Sequence, residues 1–461
     1  MKMHGFTYDV HILWRRLGRH GLPWISAMAV LTLAAPAHAV PSFARQTGEE
    51  CGACHVGAYG PQLTPHGIKF KLTGYTETDG KGSKIPLSAM VVTSYTHTDK
   101  AQDEPPAAHT KTNNNAKMDE ASVFWAGRIN DYLGSFVQVT YDGISRHTAI
   151  DQADVRAVYT GHLFGKETIF GLSLNNNPGV QDPFNTLPTW SFPYTSSAVA
   201  FGAGDAATLI DGGLEQRVAG LSAYAFWNNA LYAEVGTYRS LSPWSQRKLG
   251  LDLAEDPGRL NGNTLYWRLA TFRDLHKQAF SAGLFGFNTS IQPDRQSGGP
   301  TNSYRDIGAD ASYQFLGTRE HIATINGSYI HERQTRNALI AGGAAENPKG
   351  SLNQFKLSAS YHFRQTYGVT ASRFATHGSR DATLYGDGFA GGSPDTSGYI
   401  LQADWTPFGK ENSWGAPWAN LRLGAQYTWY NKFNGTGHNY DGNGRNAGDN
   451  NTLFLSAWLS F

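Results

Sequence analysis

From residue 85 onward, apolar and polar residues alternate one for one over short stretches. This is the mark of strands whose two faces meet different surroundings. In "TLFLSAWLSF", residues 452–461, Leu453, Leu455, Ala457, Leu459 and Phe461 share one face. Thr452, Ser456 and Ser460 share the other with Phe454 and Trp458. "NQFKLSASYHF" sets Phe355, Leu357, Ala359, Tyr361 and Phe363 against Lys356, Ser358, Ser360 and His362. The pattern predicts sixteen strands, over 85–97, 119–130, 132–142, 152–162, 165–175, 217–227, 230–240, 263–273, 278–288, 305–316, 320–331, 353–363, 367–376, 397–406, 419–430 and 451–461.

The spaces between strands decide what kind of sheet this is. Short ones ("WNNA", "FRQTY") alternate with long polar ones at 98–118, 177–216, 241–262, 289–304, 332–352, 377–396 and 431–450. A soluble β-sandwich alternates along its strands too, but short periplasmic turns opposite long extracellular loops belong to a transmembrane barrel. An even strand count agrees, and a closing strand that ends on Phe461 resembles the C-terminal signal of such barrels. The predicted fold is therefore all-β, a 16-stranded transmembrane outer-membrane β-barrel over 85–461. The gap at 407–418 is longer than its place as a turn predicts. With the first gap long and the count even, both barrel ends fall on the periplasmic side. Residues 40–84 then sit in the periplasm or in the lumen.

Composition and the first residues agree with this picture. Arg15, Arg16 and Arg19 precede the apolar run "LPWISAMAVLTLAAP", which leads into Ala37-His38-Ala39. That is the layout of a secretory signal peptide, so residues 1–39 are expected to be removed. Aromatics make up 13% of the chain and glycines number 52, too aromatic for disorder and too glycine-rich for a helical protein. The formal net charge of +1 supplies no field for nucleic acid, and outer-membrane lipid is the expected surrounding. No phosphate-binding loop, catalytic triad or zinc signature is present, so no catalytic side chain is assigned.

The only two cysteines lie together. Cys51-Gly52-Ala53-Cys54-His55 is C-x-x-C-H, the attachment site of a c-type haem. Two thioethers would fix the haem, and the adjacent His55 would serve as the proximal iron ligand. A C-x-x-C redox disulfide is the alternative, without the thioredoxin-like pattern that usually accompanies it. The sixth ligand has two candidates. His66 follows His55 closely enough to fold back over the haem, or is an exposed polar residue after a proline turn. Met90 falls on the lumen face of its strand with Ser88, Ser94 and Thr96, where a thioether is odd unless it ligates or packs against the haem edge. His97, His109 and Met118 are weaker alternatives. The segment 40–84 is too short to stabilise itself readily, which predicts a small N-terminal c-type cytochrome segment that plugs the lumen, with one covalently bound haem.

"AVPSFARQTGEECGACH" followed by "PQLTPHGIKFKLTGYT" and a long barrel resembles the fused outer-membrane monohaem cytochrome–porin family of iron-oxidising bacteria. The resemblance is most specific over 39–75 and architectural beyond. It implies an outer-membrane electron conduit that oxidises extracellular Fe(II) and passes the electron to a soluble periplasmic carrier, a c-type cytochrome or a copper protein. Cys51, Cys54 and His55 carry over directly. His66 stands where the family has an apolar residue, which favours Met90 as the shared ligand and leaves a bis-histidine variant open. Two other functions stay in view, a haem-bearing porin with a transport role and the same conduit with a different extracellular donor. No Fe(II) site is legible. The loop carboxylates Asp103, Glu104, Asp205, Asp211, Asp387, Asp395, Asp441 and Asp449 read more readily as solvated loop charge than as hard-metal ligands.

Overall fold

The structure, a computed structural model, describes residues 41–461 apart from 83–84, 203–205, 387, 411–412 and 414. The export segment expected at 1–39 lies outside the described residues. Sixteen strands follow one another: β1 (Leu87–Thr98), β2 (Asn115–Asn130), β3 (Leu133–Asp142), β4 (His147–Leu163), β5 (Lys166–Asn175), β6 (Val218–Trp227), β7 (Leu231–Ser240), β8 (Arg259–Asp274), β9 (Gln278–Gln292), β10 (Asn302–Phe315), β11 (His321–Arg336), β12 (Lys349–Phe363), β13 (Tyr367–Gly378), β14 (Thr396–Trp405), β15 (Asn420–Lys432) and β16 (Thr452–Ser460). Each pairs antiparallel with its neighbours in sequence, and β1 pairs with β16, so the ring closes without an edge.

Every predicted strand is present, but several run further at the long-loop end. β2 starts at Asn115, β4 at His147, β8 at Arg259 and β12 at Lys349, while β11 reaches Arg336. Those extensions are polar because they rise above the apolar band of the bilayer, about 25 Å tall. Backbone pairing continues there, as between Asn302 and Arg336, while the hydrophobic alternation stops.

The outer face is the apolar one. Leu357 and Tyr361 of β12 are 42% and 45% exposed, whereas Gln354, Ser358 and His362 of the same strand are buried inward. Trp125, Tyr132, Tyr159, Phe164, Tyr367 and Trp405 are exposed near the short-turn end, the position of an aromatic girdle at the membrane interface. Such a closed, apolar-belted barrel is an outer-membrane protein.

Two elements occupy the inside of the ring. The first is the N-terminal segment, with helices α1 (Pro41–Thr47), α2 (Cys51–Cys54) and α3 (Pro65–Leu72). Thr64 caps α3 by accepting from the Gly67 N–H at 3.3 Å, and Pro65 follows it at the first helical position. Ile68 and Leu72 of α3 pack with Ile169, Tyr224, Phe226 and Phe272 of the wall. Burial of each such aliphatic side chain contributes about 1.5–3 kcal/mol. The segment also donates to or accepts from β2, β4, β6, β10, β11 and β15. Examples are Tyr224 Oη to Leu72 O at 2.7 Å, Gln314 Nε2 to Leu63 O at 2.7 Å and Asn420 Nδ2 to Ala58 O at 2.7 Å. Only a chain inside the ring reaches strands on all its sides.

The second is the β5–β6 connection, residues 176–217, which the sequence suggests is an outer loop. It folds inward instead. Arg268 of β8 meets Asp182 at 3.2 Å and Asp310 of β10 at 2.7 Å, all three fully buried. Ile210 N–H donates to Asp306 at 2.9 Å and Leu209 N–H to Glu332 at 2.6 Å. Such charges are retained inside only where each has a partner, and here they fix where the loop lies. The two inner elements meet: Lys71 Nζ donates to Val180 O and Asn185 Oδ1 at 2.8 Å each, and Asn185 Nδ2 donates to Pro61 O at 2.7 Å.

Candidate functional site

Cys51 and Cys54 begin and end α2, so one helical turn carries both thiols on one side. The His55 N–H donates to Cys51 O at 2.8 Å and closes that turn. The short turns β10–β11, β12–β13 and β14–β15 hold it in place. Gln365 Nε2 and Arg319 Nη1 each donate to Gly52 O at 3.2 Å, and the Gly52 N–H donates to Gly409 O at 3.0 Å. Gly409 lies in the long β14–β15 turn, residues 406–419. Gly409 also lies against Ala58, so this part of the turn packs on the cysteine segment.

Both thiols are free. Burial pushes Cys51 up to about 11 and Cys54 up to about 12, so neither is a thiolate at neutral pH. A redox disulfide needs the opposite, an attacking thiol with a lowered value. Burial thus disfavours the thiolate that an exchange catalyst uses.

His55 follows in extended conformation, with φ −117° and ψ 136°. Burial lowers its imidazole to about 4, so the ring is neutral and able to ligate a metal. The carbonyls of Gly60 and Gln62 lie near enough to favour the charged form. Neither meets Nδ1 at hydrogen-bond geometry, and that atom is buried without a partner. The chain then doubles back. Val56 N–H donates to Gln62 O at 3.0 Å, Thr64 N–H to Cys54 O at 2.9 Å, and Thr64 Oγ1 to Ala53 O at 2.5 Å.

Polar atoms without partners gather here. His55 Nδ1, Gln314 Oε1, His362 Nδ1 and Gln365 Oε1 are all buried and unpaired. Gln314 and Gln365 bond to Leu63 and Gly52, and the His362 ring lies against Gly57. Each orphaned group costs about 1–3 kcal/mol. Glu49 Oε2, Tyr59 Oη and His66 Nε2 of the same segment are likewise buried without a hydrogen-bond partner, so a further polar group would find partners here. Two thiols on one turn, a neutral adjacent imidazole and a walled surrounding fit a covalently attached haem.

His66 and Met90 are placed differently from one another. His66 Nε2 is 2.7 Å from Glu49 Oε2 and 4.0 Å from Glu77 Oε2. Glu49, Cys54 and His66 hold their ligand atoms within 4.8 Å of one another, so His66 sits beside the second cysteine. Met90 faces the lumen as its strand parity predicts, buried with Phe124 and Ala126, and its Sδ accepts from Trp458 Nε1 at 3.1 Å. Trp458 in turn meets the Tyr59 ring edge-on at 5.1 Å. His362 was the inward histidine of β12 that alternation alone displayed, but alternation cannot say that it faces Gly57.

Four of the loop carboxylates have protein partners, Asp211 on wall strand β12 and the others in or beside their own loops. Asp211 accepts from Gln354 at 2.9 Å, Asp395 from the Gly378 N–H at 3.1 Å, Asp441 from the Asn443 N–H at 2.9 Å and Asp449 from the Asn446 N–H at 3.0 Å. Asp103 and Glu104 are exposed. Asp205 and Asp387 lie outside the described residues.

Gly57 gives a direct test of this packing. Its φ is +74°, and an added Cβ would lie 2.6 Å from Cδ2 and Nε2 of His362. Gly57→Ala is expected to destabilise docking of the segment by about 1–3 kcal/mol. Limited trypsin digestion at Lys69 should report this as faster cleavage; unchanged protection would remove the contact from the account.

No protein-family model matches the chain, and no curated protein matches it. Solved structures do. OmpT (in-vitro folded), an outer membrane protein of Vibrio cholerae, is 9% identical with TM-score 0.41, covering 83% of this chain and 100% of that one. An anion-selective porin from Comamonas acidovorans is 13% identical with TM-score 0.41, covering 81% and 98%. The outer membrane channel DcaP of Acinetobacter baumannii is 12% identical with TM-score 0.41, covering 81% and 96%. The chain is similar to these in barrel architecture, and its own barrel assignment rests on the closed ladder from β1 to β16.

Proposed function

We propose that this chain is an outer-membrane electron conduit that oxidises extracellular Fe(II) and reduces a soluble periplasmic carrier, with one c-type haem as its redox group. The observation that carries the reading is the C-x-x-C-H turn held at the short-turn mouth of the barrel by Arg319, Gln365 and Gly409, among unpaired buried polar atoms. Cys51 and Cys54 would hold the haem through thioethers and His55 would ligate its iron. When bound, the haem supplies reversible one-electron chemistry that no side chain here offers. For each electron, one Fe(II) becomes Fe(III) outside and one carrier molecule is reduced inside.

The chain's own residues prepare the site. Gln365, Arg319 and Gly409 hold the cysteine turn against the wall, Thr64 pins the returning strand, and burial keeps His55 neutral. The inner loop holds the segment from the long-loop side through Lys71, Pro61 and Gln62.

A porin with a transport role is the rival, favoured by the barrel class alone. Against it stands the filling of the bore by the segment and the loop, bonded to each other and to opposite walls. Single-channel recording in a planar bilayer is expected to give a small conductance; a large, steady open state would favour the porin. Mixing the purified haem protein with Fe(II) in a stopped-flow spectrometer is expected to reduce the haem. Reduction by another donor but never by Fe(II) would move the donor assignment and leave the conduit.

A further inference from the structure

We propose that the outer face of β10, β11 and β12, at their long-loop ends, is a binding surface for phosphate-bearing lipid headgroups of the outer leaflet. Arg305 and Arg333 form its centre, with Lys349 beside them. This goes beyond the conduit reading and does not depend on the haem.

Strand parity sets the three cations on the outside. Arg305 shares the face of Ile307, Arg333 that of Ile325 and Tyr329, and Lys349 that of Phe355 and Leu357, all of them exposed. The ladder then brings them together. Arg305 lies directly opposite Arg333, and Arg333 opposite Ser351, two residues along β12 from Lys349. Side chains directly opposite have Cβ atoms about 4.5–5.5 Å apart, and like charges so placed repel.

A carboxylate alongside would relieve that repulsion, but this face has none. The acidic residues of β9 to β14 are Asp306, Asp310, Glu332 and Asp404, and all four are buried on the lumen side. Among the described residues, the ion pairs made by β10, β11 and β12 use Asp310, Arg336 and Lys356, not these three cations. Of the loop carboxylates, Glu346 accepts from Thr383 Oγ1 at 2.8 Å and Asp294 from the Gln296 N–H at 3.0 Å.

The height of the pair identifies what meets it. Tyr329 Oη donates to Asn353 Oδ1 at 2.7 Å, and His331 Nδ1 meets the same oxygen at 2.8 Å. Polar-tipped rings of this kind sit where the apolar belt gives way to headgroups. The row Ile307–His331–Asn353 lies directly below the row Arg305–Arg333–Ser351, so the two guanidiniums stand at headgroup level. A phosphate between them cancels the repulsion and takes paired bonds from their planar forks. Lipid A of the outer leaflet carries such phosphates.

The experiment uses full-length protein purified from outer membranes and exchanged into phosphatidylcholine vesicles, with or without a minor fraction of lipid A. The midpoint of the heat-induced change in electrophoretic mobility reports binding. Lipid A is expected to raise it in the wild type, and inorganic phosphate at equal phosphorus is not. Arg305→Gln/Arg333→Gln should lose the rise with lipid A and melt no lower than the wild type in phosphatidylcholine alone. Arg305→Glu should also lose the rise, and should melt higher than the wild type in phosphatidylcholine because opposite charges then face one another. A wild type indifferent to lipid A, or an equal rise in all three proteins, would overturn the surface. An equal rise with inorganic phosphate would make it a general anion site and overturn the lipid assignment. Arg305→Glu melting like the wild type in both vesicles would show that the two guanidiniums do not act on one another.

Discussion

The Cys51→Ala/Cys54→Ala double variant is expected to reach the outer membrane as a closed barrel and to carry no covalent haem. The effect should be complete in the haem stain of denatured protein, because thioethers alone survive denaturation. The barrel should survive because the cysteine side chains do not hold the segment. That task falls to backbone and polar contacts: Gln46 Nε2 to Tyr75 O at 2.7 Å, Arg128 N–H to Gln46 Oε1 at 2.7 Å, Tyr224 Oη to Leu72 O at 2.7 Å and Gln62 Nε2 to Thr324 Oγ1 at 2.8 Å. Haem-stained protein from the double variant would refute the site outright. Failure of the double variant to form a barrel, with a Ser/Ser replacement equally defective, would show that the thiols have a structural part.

The largest stability effect should come from Arg156→Met. Arg156 of β4 is fully buried and joins three parts of the protein. Its Nε pairs with Asp154 at 2.8 Å, its Nη1 donates to Lys71 O at 2.9 Å, and its Nη2 donates to Gln181 O. Tyr75 Oη and Ser173 Oγ add bonds to Asp154 at 2.7 Å each. Removing the guanidinium strands a buried carboxylate and orphans two carbonyls, one on each inner element. Breaking a buried pair in this way costs about 3–5 kcal/mol. The midpoint of the heat-induced mobility change should fall, and the planar-bilayer conductance should rise as segment and loop loosen together. Arg156→Met/Asp154→Leu should recover part of the lost stability, since no charge is then left buried alone. Wild-type melting and conductance in Arg156→Met would show that the other contacts hold the lumen without it.

What could be read from the chain follows from what each feature depends on. The sixteen strands depend on which face meets lipid, and "NQFKLSASYHF" states that face residue by residue. The outer ends of β8 and β11 do not meet lipid, so "RLNGN" and "HERQTR" carry no alternation and extend the strands unannounced. The cysteine turn is local, five residues long, and legible in full. The inward course of residues 176–217 depends on Arg268, Asp306, Asp310 and Glu332, all distant in the chain, and its polar composition is that of any outer loop. His362 belongs to the same class. Its parity showed that it faces inward, but its position against Gly57 follows from the register of β12 and the depth of α2, which no local pattern records.

The enclosure of α2 bears on how such a molecule can be made. The ring is bonded all the way round, with Ala89 and Phe461 exchanging backbone hydrogen bonds at 2.6 and 2.8 Å where β1 meets β16. Once that seam is shut, the cysteine turn, its thiols partly exposed, is pinned at the short-turn mouth by Arg319, Gln365 and Gly409. Under the conduit reading, attachment of the cofactor is expected to precede that docking, while the exported chain is still open in the periplasm. Pulse-labelled protein should then show haem stain in the unclosed, fast-maturing form before the closed form accumulates; stain confined to closed barrels would contradict this order. A cell that slowed haem supply would therefore accumulate barrels docked without their cofactor.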